Sequence, residues 1–325
     1  MVIVDGVQQD KTTKNLGLIH VSPGARAQGR MVTQAELPST DRSTLATRTR
    51  AGDPVADSRI SARAPLRILC QHSGGSCAAC CGVYNFVDRG ADATAARLQR
   101  RTDRVREAWP DVDQLREVRD ELLILERPEV LFAGVKVCPF AGYVEDGRVG
   151  CLLHPSRHPA GEDLRDLAVY PKEVCAGHFC ASHDWLRPVE VDLAQTARGV
   201  AYGRVVTDAG LVKAIGRALG DVLGRPLRGD DVAECADGLA ALWHALLEAW
   251  PWRDPDPSRF GGFAFDGDDA VERTLPTCMA GLGVDATAAE RTILDALGTR
   301  ALDASEAMDA LSALRQSVAA VVAGR

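Results

Sequence analysis

Cysteine carries most of the chemistry available to this sequence. The 325 residues contain ten cysteines and seven histidines, and eight of the cysteines with five of the histidines fall between Cys70 and His183. Thiolate sulfur and neutral imidazole are ligands of zinc, iron and iron–sulfur centres, so a segment that concentrates them points to metal binding. In Cys77-Ala-Ala-Cys80 only two residues separate the sulfurs, and a tight turn there aims both at one ion. Cys81 follows directly. Neighbouring side chains usually diverge, so Cys81 is a candidate for a second ion or for bridging within a cluster. Cys138 precedes Pro139, a context found among iron–sulfur ligands. The candidate ligand set is Cys70, Cys77, Cys80, Cys81, Cys138, Cys151, Cys175 and Cys180, enough for two four-sulfur sites or for one site with spare thiols.

Other readings of these residues are weaker. Free cysteine often behaves as a small buried hydrophobe, which accounts for one pair but not for the whole concentrated set. A thioredoxin-like redox C-x2-C opens a helix after a strand. Here a Gly/Ser loop, Gln71 to Ser76, precedes the motif and a strand-like Val83–Val87 follows it. His72, His154, His158, His178 and His183 could each ligate zinc, yet each reads first as a surface or supporting residue. His244, beside Trp243, belongs to the edge of a helical core. Cys235 and Cys278 lie on apolar helical faces and read as core. Asp266-Gly-Asp268-Asp269 lacks the spaced donors of an EF-hand loop and reads as a helix cap before Ala270. Gly261-Gly262 is too little for a phosphate loop, and no G-x-S-x-G or catalytic triad is present.

The elements that must position the cysteines follow from periodicity. Leu66 to Cys70 reads as a short strand or entry segment, and Val83–Val87 and Val130–Val137 read as strands. Ala91 to Trp109 forms a helix that Pro110 ends, and Val112 to Leu125 forms a second one. Tyr143 to Val149 is a hairpin turning at Asp146-Gly147, which folds Cys151 back towards Cys138. After Pro188 helical period dominates. Leu211, Ile215, Leu219 and Val222 mark one helix. A second, capped by Asp230 or Asp231, has the apolar face Val232, Cys235, Leu239, Leu242, Trp243, Leu246 and Trp250. Helices over Ala289–Leu297 and Ala304–Val322 complete the series. Residues 1–65 contain no Phe, Trp, Tyr or Cys and show no period, so they cannot bury enough apolar surface to offset their ordering entropy. The expected organisation is a disordered tail over 1–65, a Cys-rich metal-binding α+β module of short strands and helices over 66–188, and an all-helical domain over 189–325.

The cysteine pattern resembles that of the zinc- or iron-chelating proteins with a CxxCxxCC-type signature. The likeness is carried by Cys77-Ala-Ala-Cys80-Cys81, Cys138-Pro139-Phe140, Cys151-Leu-Leu-His154-Pro155, and Cys175 with Cys180, and it spans about 110 residues. Where the full signature places a further cysteine three residues before Cys77, this chain has Gly74, and Cys70 lies outside the family spacing. The resemblance implies metal chelation by Cys77, Cys80, Cys81, Cys138, Cys151, Cys175 and Cys180. Flagellin lysine N-methylases share a similar Cys-Cys knot, which adds an enzymatic alternative.

Charge and hydropathy narrow the partners. The formal charge of −7 arises from interspersed acids and bases, which excludes a nucleic-acid footprint. No run reaches the roughly 18 apolar residues of a membrane span, and the N-terminus lacks the order of a signal peptide. The expected location is the cytoplasm, where ten cysteines serve metal or redox chemistry rather than disulfides. The functional expectation is a metal-binding protein holding zinc, iron or an iron–sulfur cluster. The alternatives are a metal- or iron–sulfur-dependent enzyme of redox or group-transfer type, for example a protein lysine N-methylase, and a zinc-stapled scaffold for a protein partner. In the enzyme reading Glu173, His178, His183 and Asp184 are the available polar groups. In the scaffold reading Trp243, Trp250 and Trp252 could form an exposed apolar face.

Overall fold

A computed structural model describes residues 69–324 apart from 73, 132–134, 146, 159, 256–262, 267–269, 274–277, 279–280 and 301. The tail expected over 1–65, the pair Gly261-Gly262 and most of the acidic loop at Asp266–Asp269 lie outside the described residues. All described residues fall within one compact unit, Ala62–Arg325. It mixes helices with small antiparallel sheets, an α+β arrangement.

The chain enters through a minimal hairpin. Strand β1 (Gln71–His72) pairs antiparallel with β2 (Gly75–Ser76), with Gln71 opposite Ser76. The Cys77 N–H donates to the Cys70 carbonyl at 2.9 Å, so the hairpin places these two cysteines side by side. A 3-10 turn over Ala79–Cys81 follows, closed by Gly82 at φ +74°, where a left-handed backbone favours glycine. The next segment differs from expectation. Val83–Val87 is not a strand but a turn with one bridge, Phe86 to Val130. The cause is local: the Asn85 N–H bonds back to Gly82, and only Val87 N to Glu129 O and Leu131 N to Asn85 O reach across. The stretch expected as its partner, Val130–Val137, likewise forms no strand in its described residues, with 132–134 outside them.

Two helices support the next cysteines. Helix α1 (Ala91–Ala108) buries Leu98, Arg101, Thr102, Val105 and Ala108 along one stripe, the i, i+3, i+4 spacing of an inward face. Helix α2 (Val112–Glu126) starts where the Asp111 carboxylate accepts the Asp113 and Gln114 N–H groups, and it buries Leu115, Val118 and Leu122. The hairpin of β3 (Ala141–Glu145) and β4 (Arg148–Cys151) forms as its sequence indicates, turning through Gly147 at φ +77°, and sets Ala141 opposite Cys151. Helix α1 clamps that hairpin. Thr102 Oγ accepts the Tyr143 N–H at 2.7 Å, and Arg101 Nη1 donates to the Ala141 carbonyl at 3.5 Å.

Short helices α3 (Lys172–Gly177) and α4 (Ser182–Trp185) carry the chain past Cys175 and Cys180. Then come α5 (Pro188–Gln195), α6 (Ala201–Val206), α7 (Ala209–Leu223), α8 (Gly229–Glu234) and α9 (Ala236–Glu248). In α7 Leu211, Ile215 and Leu219 are buried as the period requires. Val222 is exposed instead, because the last turn runs past the core before Gly224 ends it at φ +65°. The helix expected from Asp230 to Trp250 is two helices, since Cys235 at φ −99° and ψ 13° leaves helical geometry. Its apolar face is nonetheless buried throughout. Trp243 is 1% and Trp250 7% exposed, so neither contributes to an exposed docking face. The region after Pro188 is also not all-helical. A hairpin of β5 (Phe263–Asp266) and β6 (Ala270–Arg273) interrupts it, and the alternation in Phe263-Ala-Phe265 is the period-two signal that helical reading passes over. Helices α10 (Ala288–Ala296) and α11 (Ala304–Ala323) follow, each opened by a reciprocal capping box, Thr287 with Glu290 and Asp303 with Glu306.

The stretches on either side of Pro188 interlock. Tyr202 donates its hydroxyl to the Leu69 carbonyl at 2.6 Å, Tyr84 to the Val200 carbonyl at 2.8 Å, and Gly75 bridges Gly199. Among the described residues no helix is long and apolar enough to cross a membrane.

Candidate metal centre

All ten cysteines are free thiols. Cys235 and Cys278 are buried in the helical core, as their apolar surroundings in the sequence suggest. The other eight come from separate segments and lie in two neighbouring groups.

The first group is framed by the β1–β2 hairpin. Cys70 and Cys77 flank it, and the Cys77 sulfur accepts the Ala79 N–H at 3.4 Å. Tyr202 underlies this end, where burial raises its pKa and the charges of the nearby Cys77, Cys70 and Cys180 thiols add to the rise. His183 ties Cys180 to the hairpin. Its Nε2 accepts the Leu69 N–H at 3.4 Å, and its Nδ1 faces the Cys180 sulfur at 3.8 Å. A backbone N–H can only donate, so Nε2 holds the lone pair and the ring proton sits on Nδ1, pointing at sulfur. His183 thus faces the Cys180 sulfur as a donor rather than as a ligand through Nδ1. His72 serves the hairpin itself, accepting the Gly74 N–H at 3.1 Å and standing edge-on to Tyr202.

The second group is framed by the β3–β4 hairpin. The Cys138 N–H donates to the Cys81 carbonyl at 2.9 Å, and the Leu152 N–H to the Phe140 carbonyl at 2.9 Å, so Cys81, Cys138 and Cys151 share one corner. Backbone N–H groups of Phe140 and Val169 favour the thiolate of Cys138, and that of Leu153 favours the thiolate of Cys151, against the burial that raises both. Cys77, Cys138 and Cys151 therefore repeat one device, an N–H two residues downstream. Such donors favour the charged thiolate. Cys175, in α3, lies near Arg165, whose guanidinium is held by Asp163 at 2.8 and 2.7 Å and favours the thiolate of both Cys151 and Cys175.

Electrostatics set the resting state of these thiols. Burial pushes Cys70 up to about 11 and Cys77 and Cys151 up to about 12, and neighbouring thiolates add to each shift. Cys80 behaves oppositely. A hydrogen bond from the Cys81 thiol brings Cys80 down to about 6, while the same bond raises Cys81. Several buried thiols are thus protonated unless a cation offsets their charge, the usual coupling of metal binding to deprotonation. Among the described residues no three His, Cys, Asp or Glu side chains are already drawn in to the spacing of a metal shell.

No family model, curated protein or solved structure matches this chain. The likeness noted in its cysteines therefore rests on their spacing alone.

The remaining sequence candidates stand apart or at the rim. His154 bonds Ser156 and is exposed, His158 lies edge-on to Trp109, and His244 is exposed on α9. His178 is near enough to Cys80 to favour its thiolate, while Glu173 and Asp184 are exposed. Sequence reasoning did not single out Tyr202 or Arg165. Tyr202 lies in the helical stretch with no ligand-type residue beside it. Arg165 is marked only by falling between Cys151 and Cys175.

Proposed function

We propose that this protein binds metal through the eight cysteines Cys70, Cys77, Cys80, Cys81, Cys138, Cys151, Cys175 and Cys180, as a member of the zinc- or iron-chelating proteins that its cysteine spacing resembles. The observation that carries the reading is the convergence of thiols from separate segments, with backbone N–H groups two residues downstream of Cys77, Cys138 and Cys151 favouring their thiolates. Buried neutral thiols have little need of aimed donors, whereas thiolates held against a cation are stabilised by them. The donor set fits the metal class: all-sulfur sites suit zinc and iron–sulfur clusters, and poorly suit magnesium or calcium. Bound metal would offset the charge of thiolates that burial otherwise disfavours and would add to folding free energy.

The test is metal content and visible spectrum of the full chain purified without oxygen. Stoichiometric zinc in a colourless protein, or iron with acid-labile sulfide and visible sulfur-to-iron absorption, supports the reading. Protein that is folded but holds no stoichiometric zinc or iron overturns it.

A further inference from the structure

We infer that the eight cysteines build two four-thiol metal sites meeting at Cys80–Cys81: Cys70, Cys77, Cys80 and Cys180 in one, and Cys81, Cys138, Cys151 and Cys175 in the other. This rests on the metal-binding reading and specifies it.

Backbone framing and apolar packing divide the thiols in the same way, and the charged neighbours of each sulfur agree with that division. Cys70 and Cys77 are joined by the β1–β2 hairpin, and Cys180 is tied to Leu69 through His183. Cys138 is hydrogen-bonded to Cys81, and the β3–β4 register brings Cys151 beside them. Cys77 packs against the helical core that contains Tyr202, Leu211 and Ile215, whereas Cys81, Cys138 and Cys151 belong with Leu115, Phe140 and Leu153.

Cys77 has Cys70, Cys80 and Cys180 as charged neighbours, and Cys70 has Cys180 and Cys80. Cys151 has Cys138 and Cys175, and Cys81 has Cys138 and Cys151. Cys80 also neighbours Cys175, as a residue on the shared wall must, and its C-x2-C link assigns it to the side of Cys77. Arg165 serves Cys151 and Cys175, and Arg101 serves Cys138, while the first group has His178 and His183. Four thiolates around one divalent ion leave a net charge of −2. On the second side the ion-paired arginines supply guanidinium dipoles facing the sulfurs, and on the first side His183 faces Cys180.

The decisive comparison uses two cysteines five residues apart in sequence. Cys175 is exposed and Cys180 half-buried, so Cys175→Ser and Cys180→Ser are mild changes to the fold, which circular dichroism checks. Anaerobic native mass spectrometry of full-length wild type is expected to show two bound centres. Cys180→Ser should lose one and Cys175→Ser the other, each a halving of bound metal, and the double variant should lose both. To identify which centre departs, alkylation of the folded variants should expose Cys70 and Cys77 in Cys180→Ser, and Cys138 and Cys151 in Cys175→Ser. A wild type with one centre, or a folded single variant that loses all its metal or none, overturns the partition while the metal-binding reading stands. A metal-free wild type overturns both.

Discussion

Cys80 and Cys81 are adjacent in the chain and joined by a thiol–thiol hydrogen bond, yet they stand among different sulfurs. Cys80 neighbours Cys70 and Cys77, with Cys175 across the shared wall; Cys81 neighbours Cys138 and Cys151. The 3-10 turn over Ala79–Cys81 is what permits this. At three residues per turn, successive side chains leave the axis about 120° apart.

That pair has a consequence for the metal-free protein. Cys80 is held near 6 by the hydrogen bond from Cys81, so at pH 7 it is mostly thiolate, whereas Cys70, Cys77 and Cys151 remain protonated. Thiolate is the reactive form. Brief iodoacetamide treatment of chelator-stripped protein, read by peptide mass spectrometry, is expected to label Cys80 first. Labelling of Cys80 no faster than Cys70 would contradict the assignment.

His183 links a backbone N–H to a candidate ligand, through 3.4 Å to Leu69 and 3.8 Å to Cys180. Replacing it with Ala removes the N–H donor to sulfur and leaves the Leu69 N–H without its acceptor. Groups that orient metal ligands are typically worth about 10–100-fold in affinity. Competition against a calibrated chelator should show a loss of that size for His183→Ala, with metal stoichiometry retained at saturation. An unchanged affinity would remove His183 from the site.

Gly82 follows the cysteine knot at φ +74°, and a Cβ there would lie 2.5 Å from the Lys136 carbonyl oxygen and 3.0 Å from Val137 Cα. The left-handed backbone alone costs an L-residue about 1–2 kcal/mol, and the clash pushes away the strand of chain that delivers Cys138. Gly82→Ala should lower the urea midpoint and weaken metal retention together. Wild-type values for both would show that the approach is looser than described.

Arg101 and Glu126 form a buried ion pair, 0% and 3% exposed, with Arg101 Nε 3.0 Å from Oε1 and Nη2 2.5 Å from Oε2. Since Arg101 also reaches the Ala141 carbonyl, the pair locks α1, α2 and β3 together. Glu126→Gln leaves a buried guanidinium uncompensated, and breaking such pairs costs about 3–5 kcal/mol. Chemical denaturation measures it. The double variant Arg101→Met/Glu126→Leu is expected to be more stable than Glu126→Gln, because no unpaired charge remains.

Glu290, in the first turn of α10, supplies acid sensitivity. Arg315 donates to its carboxylate at 2.6 and 3.0 Å, and these bonds, with those from Thr287, hold its pKa below the ordinary value. A carboxyl whose folded pKa is depressed stabilises the fold fully above its unfolded value, about 4.3, and loses that contribution as pH falls through the folded pKa. Arg315→Met should therefore lower stability at neutral pH and flatten its decline on acidification. A decline of unchanged slope would assign acid sensitivity to other groups.

Much of this was legible in the sequence because it depends on local spacing. Helices α1, α2, α10 and α11 follow from apolar stripes and caps, and the β3–β4 hairpin follows from its turn. Val83–Val87 has the composition of a strand, yet composition cannot reveal that Gly82 turns the chain and leaves it one bridge, Phe86 to Val130. The β5–β6 hairpin carries only a weak sequence signal, two short alternations between helical stretches. The break at Cys235 left no local mark, because the same residues remain buried whether the helix is continuous or not.

By itself, the sequence determined which residues can do the chemistry: eight thiols, one C-x2-C-C knot and a hairpin that returns Cys151 to Cys138. It left open how those thiols are shared. Only the tertiary structure could decide that Cys175 and Cys180, five residues apart, face different neighbours, or that Tyr202 and His183 back the first group and Arg165 the second. Spacing constrains directions over a turn or a hairpin. Which distant segments then share a corner depends on packing between cores, and that is a property of the folded chain as a whole.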